Sequence, residues 1–236
     1  MLARSRGRAK PIRHTTASSP PSGGKSATGP PDWRPVRDNG VAVRPRRLSS
    51  RRGPKLRRGR AVLLCVPGSL RAGAVNRKLL AEAARLYGGP SQVADLRLPL
   101  YDGDLEDAEG IPEGVQTLAA QIAAAEAVAI STPEYNQALS GVLKNALDWV
   151  SRAPGAPWRG KPVAIMSAAA GRSGGARATY SLRLAMTPFR PRLSTGPEVL
   201  LAAASRQFDE DGRLTDARAL KTLTEAMEIL RAEADA

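Results

Sequence analysis

Residues 61–80 read AVLLCVPGSLRAGAVNRKLL. The first six are apolar, include β-branched valines and end at Pro67-Gly68, which is typical of a short strand buried on both faces. Leu79 and Leu80 begin a helical spacing of apolar residues, which Gly88-Gly89 brings to an end. The stretch therefore predicts a buried strand over residues 61–66, a glycine-containing loop, and a helix over residues 76–87.

The same alternation of short apolar strands and amphipathic helices continues along the chain. Further strands are predicted over residues 93–96, 126–131, 162–167 and 198–201. Further helices are predicted over residues 113–125, 141–151 (with Ser140 as N-cap), 173–186 and 215–234, and the acidic residues 99–112 are predicted to form a loop. Nearly all-apolar strands that alternate with helices form a parallel sheet covered on both faces. We therefore expect an α/β fold with a doubly wound five-stranded parallel sheet, for which the flavodoxin-like order 2-1-3-4-5 is one of the common arrangements.

Basic residues are concentrated in the first quarter of the chain. The 236 residues include 36 Lys/Arg and 22 Asp/Glu, which gives a formal net charge of +14. Residues 1–60 hold 17 basic and two acidic residues, whereas residues 61–236 hold 19 basic and 20 acidic residues. Residues 1–58 are rich in Arg, Pro, Ser and Gly, a composition that buries too little apolar surface to offset the entropy of ordering. We expect a disordered basic extension over residues 1–58 and one folded domain over residues 59–236.

The basic extension leaves three interpretations open. It is an extension without a dedicated role, an arm that binds nucleic acid or another acidic partner, or an organelle transit peptide. No apolar run approaches the ~18 residues of a membrane helix, so we expect no membrane association. The single cysteine, Cys65, agrees with a reducing compartment, and we expect a cytoplasmic protein.

Several kinds of catalytic site are excluded by the residues that the folded part lacks. The one histidine, His14, lies in the basic extension, so residues 59–236 cannot build a Ser-His-Asp triad or a histidine-bearing zinc site. Residues 171–175 match the G-x-S-x-G pattern of hydrolases, but Ser173 has no histidine to act as its base. Residues 68–75 have the glycine spacing of a nucleotide P-loop without its lysine. A hydrolase and a Walker-type NTPase are thereby excluded, and no metal site is expected.

The loops after strands one, three and four are the candidate site, because ligands of doubly wound sheets bind beyond the carboxyl ends of the strands. The first loop leads into a helix N-terminus and carries Ser69, Arg71 and Asn76, which are components of an anion site. In the third loop, Tyr135 is either a surface residue of an ordinary turn or a ring that lies against a planar ligand, and the loop alone does not distinguish the two. The fourth, residues 167–175, is a glycine-rich turn that presents backbone amides.

Five segments of the chain identify a protein family more specifically together than any one of them does alone. They are Gly68-Ser-Leu-Arg71 with Asn76, Pro133-Glu-Tyr-Asn136, GVLKNALDWVSR over residues 141–152, KPVAIMS over residues 161–167, and Gly174-Gly-Ala-Arg177. In this order and at these separations, residues 61–236 resemble the NADPH-dependent FMN reductase family. Its members include flavin, quinone, azo and chromate reductases.

The resemblance implies a flavodoxin-like fold, non-covalently bound FMN, and NADPH or NADH as the hydride donor. The implied acceptor is a small molecule such as a quinone, a free flavin, an azo compound or a metal oxyanion. A homodimer or homotetramer is also implied. Because the flavin performs the chemistry, no residue is predicted to be a catalytic acid or base.

The resemblance also assigns residues to the cofactor. Ser69, Arg71 and Asn76 would hold the FMN phosphate, and Ala74 lies in the same loop where family members usually carry a serine. That substitution removes one hydroxyl from the phosphate site. The remaining cofactor contacts would come from Pro133, Glu134, Tyr135 and Asn136, largely through backbone groups along the isoalloxazine, and from Ser167 and Gly171.

Two other functions remain open at this stage. One is a non-enzymatic electron carrier of the flavodoxin type, although a folded part with a net charge of −1 lacks the acidic surface expected of such a carrier. The other is a nucleic-acid-associated protein that binds through residues 1–58.

Overall fold

The parallel sheet predicted from the sequence is present in the computed structural model, which describes residues 62–236. Its strands are β1 Leu63–Pro67, β2 Ser91–Val93, β3 Ala127–Ser131, β4 Pro162–Ala168, β5 Arg192–Leu193 and β6 Val199–Leu201. They are ordered β2-β1-β3-β4-β5, and β6 pairs with β4 farther along that strand. The flavodoxin-like order 2-1-3-4-5 is therefore confirmed. The expectations for residues 1–58 lie outside the described residues.

Helices cover both faces of the sheet. They are α1 Val75–Tyr87, α2 Gly103–Glu109, α3 Glu113–Ala124, α4 Gly141–Arg152, α5 Ala176–Met186 and α6 Ala217–Asp235. Leu63 and Cys65 of β1 pack with α1 and α6, while Leu64 and Val66 of the same strand pack with α3, α4 and α5. This alternation explains why β1 is apolar at every position. In the described part of the chain, no helix is long and apolar enough to cross a membrane.

The prediction of a loop over residues 99–112 is wrong, because residues 103–109 form α2. The side chain of Asp102 caps this helix by accepting a hydrogen bond of 3.0 Å from the backbone N–H of Asp104. Acidic residues in the first turn also stabilise a helix through its dipole. No residue of α2 is buried, so the sequence contains no apolar periodicity that would have indicated it.

The outer strands differ in position from the prediction. The second strand spans Ser91–Val93 instead of residues 93–96. Ala94 and Leu96 follow the strand but are also buried. The apolar residues from which the strand was predicted therefore lie partly beyond its end. The predicted fifth strand corresponds to β6, and a further strand, β5, precedes it. Gly196 and Pro197 separate the two.

Candidate functional site

The loop after β1 (residues 68–74, the first loop) and the loop after β3 (residues 132–140, the third loop) are in direct contact. Gly68 donates its N–H to the carbonyl of Ser131 at 2.8 Å, and the Ser140 hydroxyl donates to the Gly68 carbonyl at 2.6 Å. A Cβ at position 68 would lie 3.0 Å from Cα of Thr132, so a side chain there would push the first and third loops apart. Ser140 also caps α4, as predicted.

Asn76 connects the ends of three elements. Its side chain is 2 % exposed, and its Oδ1 accepts hydrogen bonds from the Ser131 hydroxyl at 2.7 Å and from the Ala168 N–H at 2.9 Å. Its Nδ2 donates to the Ala168 carbonyl at 2.9 Å. The side chain thus joins α1 to the carboxyl ends of β3 and β4. The phosphate contact expected of Asn76 stays a prediction, and the structure shows it as a positioning residue.

The loop after β4 (residues 169–175, the fourth loop) is attached to the third through Ser167. The buried Ser167 hydroxyl donates to the Thr132 carbonyl at 2.6 Å. A Cβ at Gly175 would lie 1.9 Å from Ser167 Oγ, and the φ of Gly175 is +88°. Because Gly175 has this left-handed backbone, α5 begins at Ala176 and not at residue 173 as predicted.

The N-terminus of α1 faces the first loop without a side-chain cap. The N-cap residue is Ala74, which provides no hydrogen-bonding group. The N–H of Arg77 donates to the Ala74 carbonyl at 2.9 Å, which leaves the N–H groups of Val75 and Asn76 for an anion that the helix dipole favours at this end. Ser69 Oγ accepts a hydrogen bond of 3.3 Å from the N–H of Arg71, and the Arg71 side chain is exposed. The first loop therefore fits a phosphate group.

The third loop ends in a tight turn that presents an aromatic ring. Tyr135 and Ala138 exchange two backbone hydrogen bonds of 3.1 Å, and Asn136 and Gln137 have φ values of 50° and 66°. Positive φ at both central positions defines a type I′ turn, for which asparagine is favourable at the first position. The Tyr135 side chain is 58 % exposed and available to a planar ligand.

Glu134 is turned toward α5. Its carboxylate accepts the N–H of Arg177 at 3.1 Å and lies 3.6 Å from that residue's guanidinium. The Glu134 side chain is thus occupied by Arg177, and the backbone contacts with the isoalloxazine that the resemblance implies for Pro133 to Asn136 stay predictions. In the fourth loop, Gly171 is exposed and has no atom within 4 Å of a Cβ built on it, so its backbone is open to a ligand.

The arrangement fits a molecule with a phosphate at one end and a planar ring at the other, which are the two recognition elements of FMN. It offers little acid–base chemistry of its own. Within residues 62–236 no group of three His, Cys, Asp or Glu side chains could hold a metal ion. Burial raises the pKa of the Cys65 thiol to about 11, so it is a core residue and not a nucleophile.

Comparison with known proteins agrees with this geometry. Residues 62–205 match the model of the NADPH-dependent FMN reductase family. The chain is 42 % identical over 172 residues to the NAD(P)H-dependent FMN reductase of Pseudomonas aeruginosa, covering 72 % of this chain and 92 % of the relative. It is 38 % identical over 164 residues to a quinone reductase of Escherichia coli, covering 66 % and 86 %.

A solved structure shows the same fold. The flavoenzyme NAD(P)H:(acceptor) oxidoreductase FerB of Paracoccus denitrificans superposes with a TM-score of 0.65 at 29 % sequence identity. The match covers 74 % of this chain and 97 % of that one. The chain therefore belongs to the NADPH-dependent FMN reductase family and is an oxidoreductase that uses FMN with NAD(P)H as the donor.

Proposed function

We propose that this protein is an NAD(P)H-dependent reductase of small molecules, with a quinone as the first acceptor to be tested. The observation that carries the proposal is the joining of three loops at the carboxyl ends of β1, β3 and β4 by buried hydrogen bonds. Relatives named quinone reductase and probable NADPH:quinone oxidoreductase support this choice of acceptor. Free flavin, azo compounds and metal oxyanions are the alternatives within the same site.

The first loop and α1 would hold the phosphate. Backbone N–H groups at the uncapped start of α1 would donate to it, with the Ser69 hydroxyl and the Arg71 guanidinium completing the site. Ala74 contributes no hydroxyl, so the backbone and Arg71 would supply most of the interaction.

The third and fourth loops would bind and orient the ring. Tyr135 would cover part of it, while backbone groups from Pro133 to Asn136 and at Gly171 would contact its polar edge. When bound, FMN supplies the redox chemistry, taking a hydride from the nicotinamide and passing electrons to the acceptor. The loops are open to solvent at Tyr135 and Asn136, which leaves room for a second substrate beside the ring.

Steady-state oxidation of NADPH and of NADH tests the proposal, with a water-soluble benzoquinone, free FMN and an azo dye as separate acceptors. We expect quinone-dependent turnover of the FMN-loaded protein. Arg71→Gln should raise the FMN concentration needed for half-maximal activity by about tenfold or more, because a hydrogen bond to a charged group is lost. Arg206→Gln is the matched control, since Arg206 is an exposed arginine in the turn Ala204–Arg206.

Absence of NAD(P)H oxidation with every acceptor would contradict the proposal. Slow NADPH oxidation combined with fast reduction by a separate reductase would instead identify an electron carrier. Binding of nucleic acid through residues 1–58, the domain boundary near residue 59 and a cytoplasmic location stay predictions from the sequence.

We further propose that the enzyme is a homodimer or homotetramer. Several large apolar side chains are strongly exposed on the described surface, among them Leu100 at 82 %, Tyr180 at 55 % and Leu184 at 76 %. Tyr180 and Leu184 are four residues apart on α5 and therefore share one face of that helix, and exposed apolar surface of this kind marks interaction sites. Light scattering of the purified protein gives the mass directly, and a monomer at micromolar concentration would contradict the proposal.

A further inference from the structure

A cavity of about 480 Å³ lies between α1 and the edge of the sheet formed by β1 and β2. We call it the arginine cavity because Arg77, Arg85 and Arg213 all line it. Leu80 and Val93 contribute apolar surface. Arg77 and Arg85 come from α1, whereas Arg213 precedes α6, so the three cations converge from separate parts of the chain.

One carboxylate lies beside these arginines. Glu82 is 2 % exposed and accepts hydrogen bonds from Arg85 Nε at 2.9 Å, Arg85 Nη2 at 2.8 Å and Arg213 Nη1 at 3.2 Å. Hydrogen bonds from Arg85 and Arg213 lower the pKa of Glu82, so its charge is retained at neutral pH. Three guanidinium groups against this one carboxylate leave a local excess of two positive charges.

Arg77, unlike Arg85 and Arg213, forms no hydrogen bond with Glu82. Its Nε is buried and has no hydrogen-bond partner among the described residues. Because Nε has almost no accessible surface, a ligand in the cavity would be contacted by the terminal nitrogens of the guanidinium and not by Nε. Arg77 thus contributes to the cavity lining a positive charge that Glu82 does not neutralise.

We infer that the arginine cavity binds a small organic anion that carries a phosphate monoester on an apolar body. Guanidinium groups recognise phosphate oxygens through pairs of N–H donors, and a dianion would neutralise the charge excess. The Ser91 side chain also lines the cavity and adds a hydroxyl. Leu80 and Val93 supply the apolar surface that the body of the ligand would cover. This site is separate from the first loop and extends beyond the proposed reductase activity.

Isothermal titration of the FMN-loaded full-length protein with phenyl phosphate tests this inference. The protein is loaded with FMN and then desalted, so that the first loop is filled and no free FMN, itself a phosphate monoester, competes for the arginine cavity. We expect saturable binding of phenyl phosphate, and weaker binding of both phenol, which lacks the anion, and inorganic phosphate, which lacks the ring. Arg77→Gln should weaken phenyl phosphate binding by about tenfold or more, and Arg206→Gln should leave it unchanged.

Two further measurements make the test decisive. Because Arg77 Nε has no partner to lose, Arg77→Gln should fold with an unchanged or higher Tm and should still retain FMN. A titration of FMN-free Arg71→Gln separates the sites, because the arginine cavity should still bind phenyl phosphate in that variant. Binding lost in Arg71→Gln but kept in Arg77→Gln would place the anion at the first loop and overturn the inference. So would the absence of saturable binding to the wild-type protein.

Discussion

Asn76 and Ala168, 92 residues apart in the chain, are joined by two hydrogen bonds of 2.9 Å that run in opposite directions. The side-chain amide of Asn76 acts as donor and acceptor to the same backbone unit, as a neighbouring strand would. This pairing fixes the start of α1 against the carboxyl end of β4. The position of the first loop relative to the fourth depends on it.

Replacing Asn76 should therefore destabilise the protein. In Asn76→Asp the carboxylate cannot donate to the Ala168 carbonyl and is buried as a charge, so we expect a loss of about 3 kcal/mol or more in the free energy of unfolding. Urea denaturation measures this difference. Asn136→Asp is the control, because Asn136 is exposed and aspartate tolerates the left-handed backbone of that turn; its effect should stay within about 0.5 kcal/mol. Equal stabilities of the two variants would contradict the role assigned to Asn76.

Gly175 and Gly171 should respond differently to alanine. A Cβ at Gly175 would meet Ser167 Oγ at 1.9 Å, at a φ of +88°, so Gly175→Ala should cost several kcal/mol, about 3 or more, and lower FMN retention. Gly171 has no atom within 4 Å of a built Cβ, so Gly171→Ala should leave the Tm nearly unchanged. Thermal unfolding of both variants checks this, and a stable, FMN-retaining Gly175→Ala would show that the fourth loop is not held as described.

Ala74→Ser should strengthen the site. A serine at this N-cap position places a hydroxyl beside the first-turn N–H groups of α1 and beside the phosphate that they would bind. We expect about 1 kcal/mol of added stability without FMN, and roughly tenfold tighter FMN binding because a hydrogen bond to a charged group is gained. Quenching of flavin fluorescence gives the affinity. Weaker FMN binding by this variant would place the phosphate elsewhere.

Glu82 should make stability depend on pH. Its pKa is lowered chiefly by the hydrogen bond from Arg85, so its contribution is present above the unfolded-state pKa of about 4.3 and is lost as pH falls through the lower folded-state value. Glu82→Gln should therefore cost about 1–3 kcal/mol at pH 7, and the difference from wild type should shrink below about pH 4. Denaturant unfolding at both pH values tests this against Glu228→Gln, an exposed control on α6. A deficit that persists unchanged at low pH would exclude the charge as its cause.

The parts of the fold that the sequence predicted are those in which burial controls the residue pattern. β1, β3 and β4 are buried at every position and almost entirely apolar because both faces are covered, and α4 repeats apolar residues toward the core. α2 was missed because nothing in it is buried, and its formation depends on the Asp102 cap and on charge. β5 was missed because two residues provide too short a pattern to recognise.

The candidate site was predicted in position but only partly in detail. The loops were located by topology, and the resemblance supplied the residues. The attachment of Asn76 to Ala168 and of Ser167 to Thr132 was not predicted, because hydrogen bonds between distant segments leave no local signal. The Gly174-Gly175 pair was the nearest available signal, since two glycines before a helix indicate close backbone packing.

We propose that the three joined loops bind FMN and that NAD(P)H reduces it there. The absorption spectrum tests this for wild-type protein and for Arg71→Gln, each mixed with FMN, desalted, and then treated with NADPH without oxygen. We expect flavin bands that remain with the wild-type protein after desalting and bleach on NADPH addition, and weaker retention by Arg71→Gln. Wild-type protein that retains no flavin, or retains flavin that NADPH does not reduce, would contradict it.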